Sequence, residues 1–161
     1  MNSNLLTATE WTGKALSGHW TSLAGGTLEV IEPATGEPLA QLAKASPADI
    51  RAACQGARQS QKAWAALPYG ERAKVFRRAA GLLEDNRAAY AEWIVRETGG
   101  IPPKAMFEID SVIHLLHEAA AMLTQPRGLV LPSVDGVSSI ARRVPHGVVG
   151  VISPFNFPFL L

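Results

Sequence analysis

The sequence lacks most features that mark secreted, membrane-bound or strongly charged proteins. Cys54 is its single cysteine, so no disulfide can form within the chain, and a reducing, cytoplasmic setting is expected. Lys and Arg number 15 and Asp and Glu 14, a balance that predicts binding neither to nucleic acid nor to an anionic membrane. The N-terminal MNSNLLTATEWTGK has no basic start followed by an apolar run, so we expect no signal peptide.

Long hydrophobic runs, internal repeats and low-complexity segments are also missing. The most apolar stretch is the C-terminal tail, and Pro154 and Pro158 interrupt it, so no membrane span is predicted. The 161 residues are 47% apolar and 18% charged, which is ordinary for a globular protein and sufficient for one domain with a core.

The first three quarters of the chain read as a strand pair followed by helices. Residues 1–17 are expected to form a flexible lead-in, and residues 27–43 read as two strands around a Pro-Ala-Thr-Gly turn. Ser46 is a good N-cap before Pro47, and the helix that follows carries an apolar face that includes Cys54. Further helices are predicted up to Pro126, with a glycine stop at Gly99 and Gly100. The strand pair and helices are expected to form one unit, residues 18–126.

After Pro126 the pattern changes to strands. Segments 128–133 and 137–144 flank Val134-Asp135-Gly136, and Asp-Gly is a strong hairpin signal, so a β-hairpin is predicted over residues 127–145. A two-stranded ribbon is marginally stable alone, so we expect residues 128–144 to pair with another segment or another subunit.

The last 18 residues, VPHGVVGVISPFNFPFLL, carry the strongest functional signal. Gly147–Ile152 reads as a buried, parallel-type strand that ends at Ser153 and Pro154 in a turn. Open α/β sheets place ligands at the carboxyl ends of their strands. The Asn156 amide could donate to a developing oxyanion, or it could be a turn residue chosen for its backbone preference. No G-x-G-x-x-G fingerprint is present. Residues 146–161 end where a helix should begin, so we expect the front part of a larger enzyme.

Other candidates have simpler explanations. His114 and His117 lie three residues apart on a helix, but no third metal ligand is evident, so two histidines on a polar face are favoured. Cys54 is interpreted as a small buried hydrophobe rather than a nucleophile. The Glu97–Gly100 stretch fits a helix C-terminus. The pair Arg142-Arg143 could bind phosphate, although paired charges are common on an exposed ribbon edge.

The combination of segments resembles the aldehyde dehydrogenase superfamily. PHGVVGVISPFNFP looks like the family signature P-x-G-V-x-G-x-I-x-P-W-N-F-P, and the blocks before it occur in the family's order: PATGE, SPADIRAA, WAALPYGERA, RRAAGLLEDN and ETGG. The resemblance covers residues 18–161 and is greatest to benzaldehyde-type dehydrogenases. It implies an α/β fold with helices on a doubly wound Rossmann-type sheet, of which residues 146–161 supply the first strand and the signature turn. It also implies a projecting hairpin, residues 128–144, that joins subunits into a homo-dimer or tetramer.

The resemblance also implies an activity and roles for five residues. Such enzymes oxidise an aldehyde, here an aromatic one similar to benzaldehyde, to the acid with NAD or NADP through a cysteine thiohemiacetal. Asn156 matches the oxyanion-donating asparagine. The positions that line the cofactor correspond to Ile152, Ser153, Pro154 and Phe155, the last replacing the usual Trp. The family's catalytic Cys and Glu are expected downstream, so the 161 residues alone are predicted to be inactive.

Two alternatives remain open at this point. One is a truncated, non-catalytic module for assembly or binding, and the other is a semialdehyde or acylating dehydrogenase of the same superfamily. In either case, poor solubility is expected for the chain alone, because its tail exposes apolar residues: Phe155, Phe157, Phe159, Leu160 and Leu161.

Overall fold

The computed structural model describes residues 8–161 and has a mixed α/β fold in which helices predominate. The elements, in chain order, are α1 (Ala8–Trp11), β1 (Ala15–Leu16), β2 (Trp20–Thr21), β3 (Thr27–Ile31), β4 (Pro38–Ala43), α2 (Pro47–Ala66), α3 (Tyr69–Asp85), α4 (Arg87–Thr98), α5 (Pro102–Met122), β5 (Gly128–Leu131) and β6 (Ser139–Arg142). Within residues 8–161 the strands pair in chain order into three two-stranded antiparallel sheets.

The expected flexible lead-in, residues 1–17, has regular structure where it is described. Residues 1–7 lie outside the described residues; beyond them α1 forms, and β1 pairs with β2. The ring of Trp11 meets the ring of Trp93 on α4 edge to face, with centroids 5.8 Å apart. Such aromatic pairs stabilise by more than the area they bury. Residues 8–17 thus include regular structure and one distant aromatic contact, and the flexibility expected of the lead-in stays a prediction.

The two strands predicted around the Pro-Ala-Thr-Gly turn are confirmed as β3 and β4. Their turn lies against the end of α4, where Arg96 donates from Nε and one Nη to the Glu32 carboxylate at 3.0 and 2.9 Å. The predicted glycine stop is also confirmed, because Gly99 ends α4 with φ of +66°. A Cβ at Gly99 would lie 3.2 Å from Pro33, so this position requires glycine for its conformation and for close packing.

The helix start predicted at Ser46 is confirmed by a reciprocal cap on α2. The Asp49 N–H donates to Ser46 Oγ at 3.3 Å, and the Ser46 N–H donates to Asp49 Oδ2 at 2.8 Å. The same carboxylate oxygen accepts from the Ala24 N–H at 3.1 Å. Hydrogen bonds from the Ser46 side chain and backbone lower the pKa of Asp49. One carboxylate thus joins the cap of α2 to the loop before β3.

The apolar face predicted for α2 exists but is not buried by residues 8–161. Ile50 keeps 55% of its surface exposed, and Cys54 is exposed, so its interpretation as a buried hydrophobe is wrong. Burial needs a second surface, and the aromatic contact of α2 within the described residues is the edge-to-face pair of Trp64 with Phe76, at 6.5 Å.

The core lies where α5 packs against α3 and α4. Ala105 and Ile109 of α5 have no exposed surface and meet Ile94 of α4. On α3, Ala73, Ala80 and Leu83 are buried, and Phe76 is half-buried between them. Spacings of three and four residues place these side chains on the inner faces of their helices. Among residues 8–161, no helix is both long and apolar enough to cross a bilayer.

The hairpin predicted after Pro126 is confirmed as β5 paired with β6. Its turn is closed by a 3.1 Å hydrogen bond from the Val137 N–H to the Val134 carbonyl, and Gly136 adopts φ of +80°. The strands carry apolar side chains on exposed faces, and Val130 keeps 80% of its surface exposed.

The strand predicted over Gly147–Ile152 is not formed. A parallel strand is held by a neighbouring strand and is normally covered on both faces. Among residues 8–161 every strand is already in an antiparallel pair, and none lies beside this segment. The apolar run therefore marks a segment with strand propensity that has no partner strand within residues 8–161. The division of the chain into units at residues 18, 127 and 146 stays a prediction.

We predict that Ser46→Ala lowers the free energy of unfolding by about 1 kcal/mol, because the cap of α2 loses its side-chain acceptor. Urea denaturation followed by circular dichroism measures this. Ser60→Ala, at an exposed position within α2, is the matched control and should change the value by less than about 0.5 kcal/mol. Equal stabilities for the two variants would contradict the prediction.

Candidate functional site

The five predicted site residues lie consecutively in an exposed segment that leads into a turn. Ile152 and Phe155 keep 98% and 91% of their surfaces exposed, while Ser153 and Asn156 are exposed and Pro154 is half-buried. Asn156 has no hydrogen-bond partner within residues 8–161. Its amide is therefore available to an external group.

The chain directly after Asn156 is packed on the helices. The Phe157 ring meets Phe107 of α5 edge to face at 6.4 Å, and the Phe159 ring lies 5.6 Å from Tyr90 of α4. The Leu161 N–H donates to the Phe157 carbonyl at 3.1 Å, which closes the turn. Two of the five tail residues expected to be exposed, Phe155 and Leu161, are so; the other three are half-buried. The expected poor solubility stays a prediction.

A carboxylate from α5 holds this turn. Glu108 has no exposed surface, and its Oε2 accepts the N–H groups of Phe159 and Leu160 at 3.0 and 3.2 Å. Its Oε1 forms an ion pair with Lys104, one helical turn earlier. The Lys104 ammonium also lies 4.9 Å from the centre of the Phe157 ring, a cation–π distance. Glu108 Oε1 and the Lys104 ammonium thus face each other, and Glu108 Oε2 and the same ammonium contact the turn.

The turn therefore has an exposed half and an anchored half, and Asn156 lies where they meet. An exposed carboxamide next to an anchored backbone can donate a hydrogen bond from a nearly fixed Cα position, which favours the stabilisation of a developing negative charge. The exposed apolar surfaces of Ile152 and Phe155 precede it on the chain. The arrangement can thus present one donor and one apolar wall to a bound molecule.

Lys104 and Glu108 were not singled out from the sequence. A lysine and a glutamate four residues apart are usually an exposed helical pair. The available signal was position, because Glu108 falls between Ala105 and Ile109 on the inner stripe of α5, where a charge needs a buried partner.

The remaining candidates are not assembled into a site. His114 and His117 are exposed, and residues 8–161 contain no cluster of three metal-ligating side chains. Arg142 and Arg143 are exposed at the ribbon edge, as expected for solvated charges. Cys54 borders an open cavity of about 550 Å³ between α2 and the segment after the hairpin.

Comparison with known proteins adds a family match to this geometry. The aldehyde dehydrogenase family profile matches residues 20–161. A vanillin dehydrogenase from Amycolatopsis sp. is 48% identical over 152 residues, which are 94% of this chain and 31% of that protein. A benzaldehyde dehydrogenase [NAD(+)] from Pseudomonas putida is 41% identical over the same shares. N-succinylglutamate 5-semialdehyde dehydrogenases also match, at 36% identity or below.

The fold matches as well. The crystal structure of a NAD-dependent benzaldehyde dehydrogenase from Corynebacterium glutamicum superposes with a TM-score of 0.84 at 35% identity, over 96% of this chain and 33% of that one. The mixed α/β fold is thus that of aldehyde dehydrogenases. The chain spans about a third of the length of the relatives and the structure that it matches.

Proposed function

Because the chain belongs to the aldehyde dehydrogenase family, we propose that the enzyme containing it oxidises an aldehyde to the carboxylic acid with NAD or NADP as hydride acceptor. An aromatic aldehyde is the proposed substrate class, since a vanillin and a benzaldehyde dehydrogenase are among the relatives. The activity is proposed for the whole polypeptide, which we place in the cytoplasm, and not for these 161 residues alone.

The single observation that carries the proposal is the exposed Asn156 amide beside an anchored turn. When a thiolate adds to an aldehyde, the carbonyl oxygen becomes an oxyanion, and an N–H donor fixed beforehand stabilises it more than water does. We assign this donor role to Asn156. The nucleophile is proposed to be a cysteine of the full-length enzyme outside these 161 residues, because Cys54 lies on α2 and lines a cavity that residues 152–156 do not border.

The segment before Asn156 is proposed to form one wall of the cofactor site. NAD or NADP supplies the hydride acceptor when bound, and its nicotinamide ring has planar apolar faces. Ile152 and Phe155 offer nearly complete side-chain surfaces for such a ring, and Ser153 and Pro154 set the bend between them. Covering these two residues would remove apolar surface from water and exclude water from the reacting carbon.

We predict that Asn156→Ala lowers kcat of the full-length enzyme by about 10²- to 10³-fold, with a much smaller effect on KM, because the donor acts on charge that develops in the transition state. Formation of the reduced cofactor from benzaldehyde, followed by absorbance, measures this. Asn156→Asp is the matched variant: it keeps the size of the side chain but removes the N–H donor, and should lose as much. A loss below about tenfold in both variants would contradict the oxyanion role.

A semialdehyde is the second candidate substrate, since semialdehyde dehydrogenases also match the chain. We predict a kcat/KM at least about tenfold higher for benzaldehyde or vanillin than for N-succinylglutamate 5-semialdehyde, because each methylene-sized mismatch in an apolar pocket costs about 1–3 kcal/mol. Steady-state kinetics on the three aldehydes decide between the candidates. The reverse order would establish the semialdehyde as the substrate, and no turnover of any aldehyde would favour a non-catalytic module.

The hairpin, residues 128–144, is proposed to join copies of the enzyme into a homo-dimer or tetramer. Its strands pair only with each other within residues 8–161, which leaves both outer edges available to another strand. Leu129, Val130 and Ile140 are also exposed on it, and burial of such a patch favours association.

We predict that Ile140→Lys reduces the oligomer of the full-length enzyme to a smaller species, because a charge would be buried in the subunit contact. Light scattering coupled to size exclusion measures the mass. Val75→Lys on α3 is the matched control, since Val75 is also an exposed apolar residue but lies outside the hairpin. An unchanged mass for Ile140→Lys, or the same loss in both variants, would contradict the assignment.

A further inference from the structure

We propose that Glu108 is a positioning residue for Asn156: its buried carboxylate holds the backbone of residues 159–160 and thereby fixes the amide three residues earlier. The Lys104 ammonium neutralises the negative charge of the Glu108 carboxylate. The inference rests on the oxyanion role proposed for Asn156 and adds to it a residue from a different element, helix α5.

The burial of Glu108 is poorly explained by stability alone. Glu108 has 0% of its surface exposed and lies on a stripe whose neighbours are Ala105 and Ile109. Removing two charges from water carries a large cost, and a well-packed apolar pair of similar volume is often as stable or more so. A carboxylate retained at such a position is better explained by what it does to geometry.

The hydrogen bonds of Glu108 have the form that fixes geometry. One oxygen accepts the N–H groups of two consecutive residues, Phe159 and Leu160, so both the position and the tilt of that backbone are set. An apolar side chain could fill the same volume, but it could not orient the two peptide groups, because dispersion contacts are non-directional.

The anchored backbone is connected to Asn156 through residues with little freedom. Pro158 has a fixed φ, and the Phe157 ring contacts both the Phe107 ring and the Lys104 ammonium of α5. Asn156 itself has no hydrogen-bond partner within residues 8–161. The contacts of residues 157–160 are therefore what set its place, and a 1 Å displacement of a reacting group can cost about 10²-fold in rate.

The test compares two double variants of the full-length enzyme. Lys104→Met with Glu108→Gln removes both charges but keeps a side-chain oxygen for the two N–H groups. Lys104→Met with Glu108→Leu removes the charges and the acceptor while keeping the volume. We expect the Gln variant to stay within about fivefold of the wild-type kcat. The Leu variant should lose about 10²-fold in kcat, with a KM close to that of the Gln variant and a Tm lowered only by the loss of two hydrogen bonds.

A cycle with Asn156→Ala separates positioning from general loss of structure. If Glu108 acts through Asn156, the Leu variant should cost less than about twofold in kcat when Asn156→Ala is already present, because interacting residues are non-additive. Equal losses with and without Asn156→Ala would overturn the proposal, and so would equal kcat values for the Gln and Leu variants.

Backbone hydrogen exchange gives a readout that does not depend on the reaction. The Phe159 and Leu160 amides should exchange faster in the Leu variant than in the Gln variant, because only the latter keeps the acceptor. If the wild-type enzyme oxidises no aldehyde, the proposed function fails, and this comparison decides the anchoring role alone. Faster exchange then supports it and unchanged exchange overturns it.

Discussion

Two backbone N–H groups, those of Phe159 and Leu160, share one carboxylate oxygen of Glu108, and the placement of the candidate site depends on that contact. The contact is possible because α5 is the central helix of the core, packed against both α3 and α4. A carboxylate on its inner face is held rigidly, and rigid support is what a hydrogen-bond donor at an oxyanion needs. The buried Glu108 carboxylate therefore connects the helical core to the segment that carries the candidate site.

The surfaces that the chain leaves open share a physical character. The apolar face of α2, the hairpin and residues 147–155 are apolar and exposed, while α3, α4 and α5 have closed their inner faces. Apolar surface that the chain cannot cover is suited to contact with other parts of an enzyme, with a second copy or with a ligand. The chain thus combines a buried helical core with exposed apolar surfaces, and it spans about a third of the relatives' length.

The sequence predicted what local chemistry controls. The cap at Ser46, the stop at Gly99 and the Asp-Gly turn each depend on a few adjacent residues, and all three are present as expected. The errors arose where distant partners decide: within residues 8–161 no strand lies beside Gly147–Ile152, and no surface covers Cys54. For the candidate site, the sequence pointed to residues 152–156, of which four are exposed, and their roles stay predictions. Glu108 was missed because its partners, Phe159 and Leu160, lie 51 and 52 positions further along the chain, and only the fold brings them together.

The burial of Glu108 also has a consequence for vectorial synthesis. The contacts among α3, α4 and α5 join segments close in sequence, so this core can close while later residues are still being added at the ribosome. At that stage residues 159 and 160 have not emerged, so Glu108 Oε1 can pair with Lys104 while Oε2 still has water as its partner. Docking of the tail then replaces hydration of a charge by two backbone hydrogen bonds. We therefore expect the segment that carries Asn156 to dock after α3, α4 and α5 have packed, on a surface that is already folded.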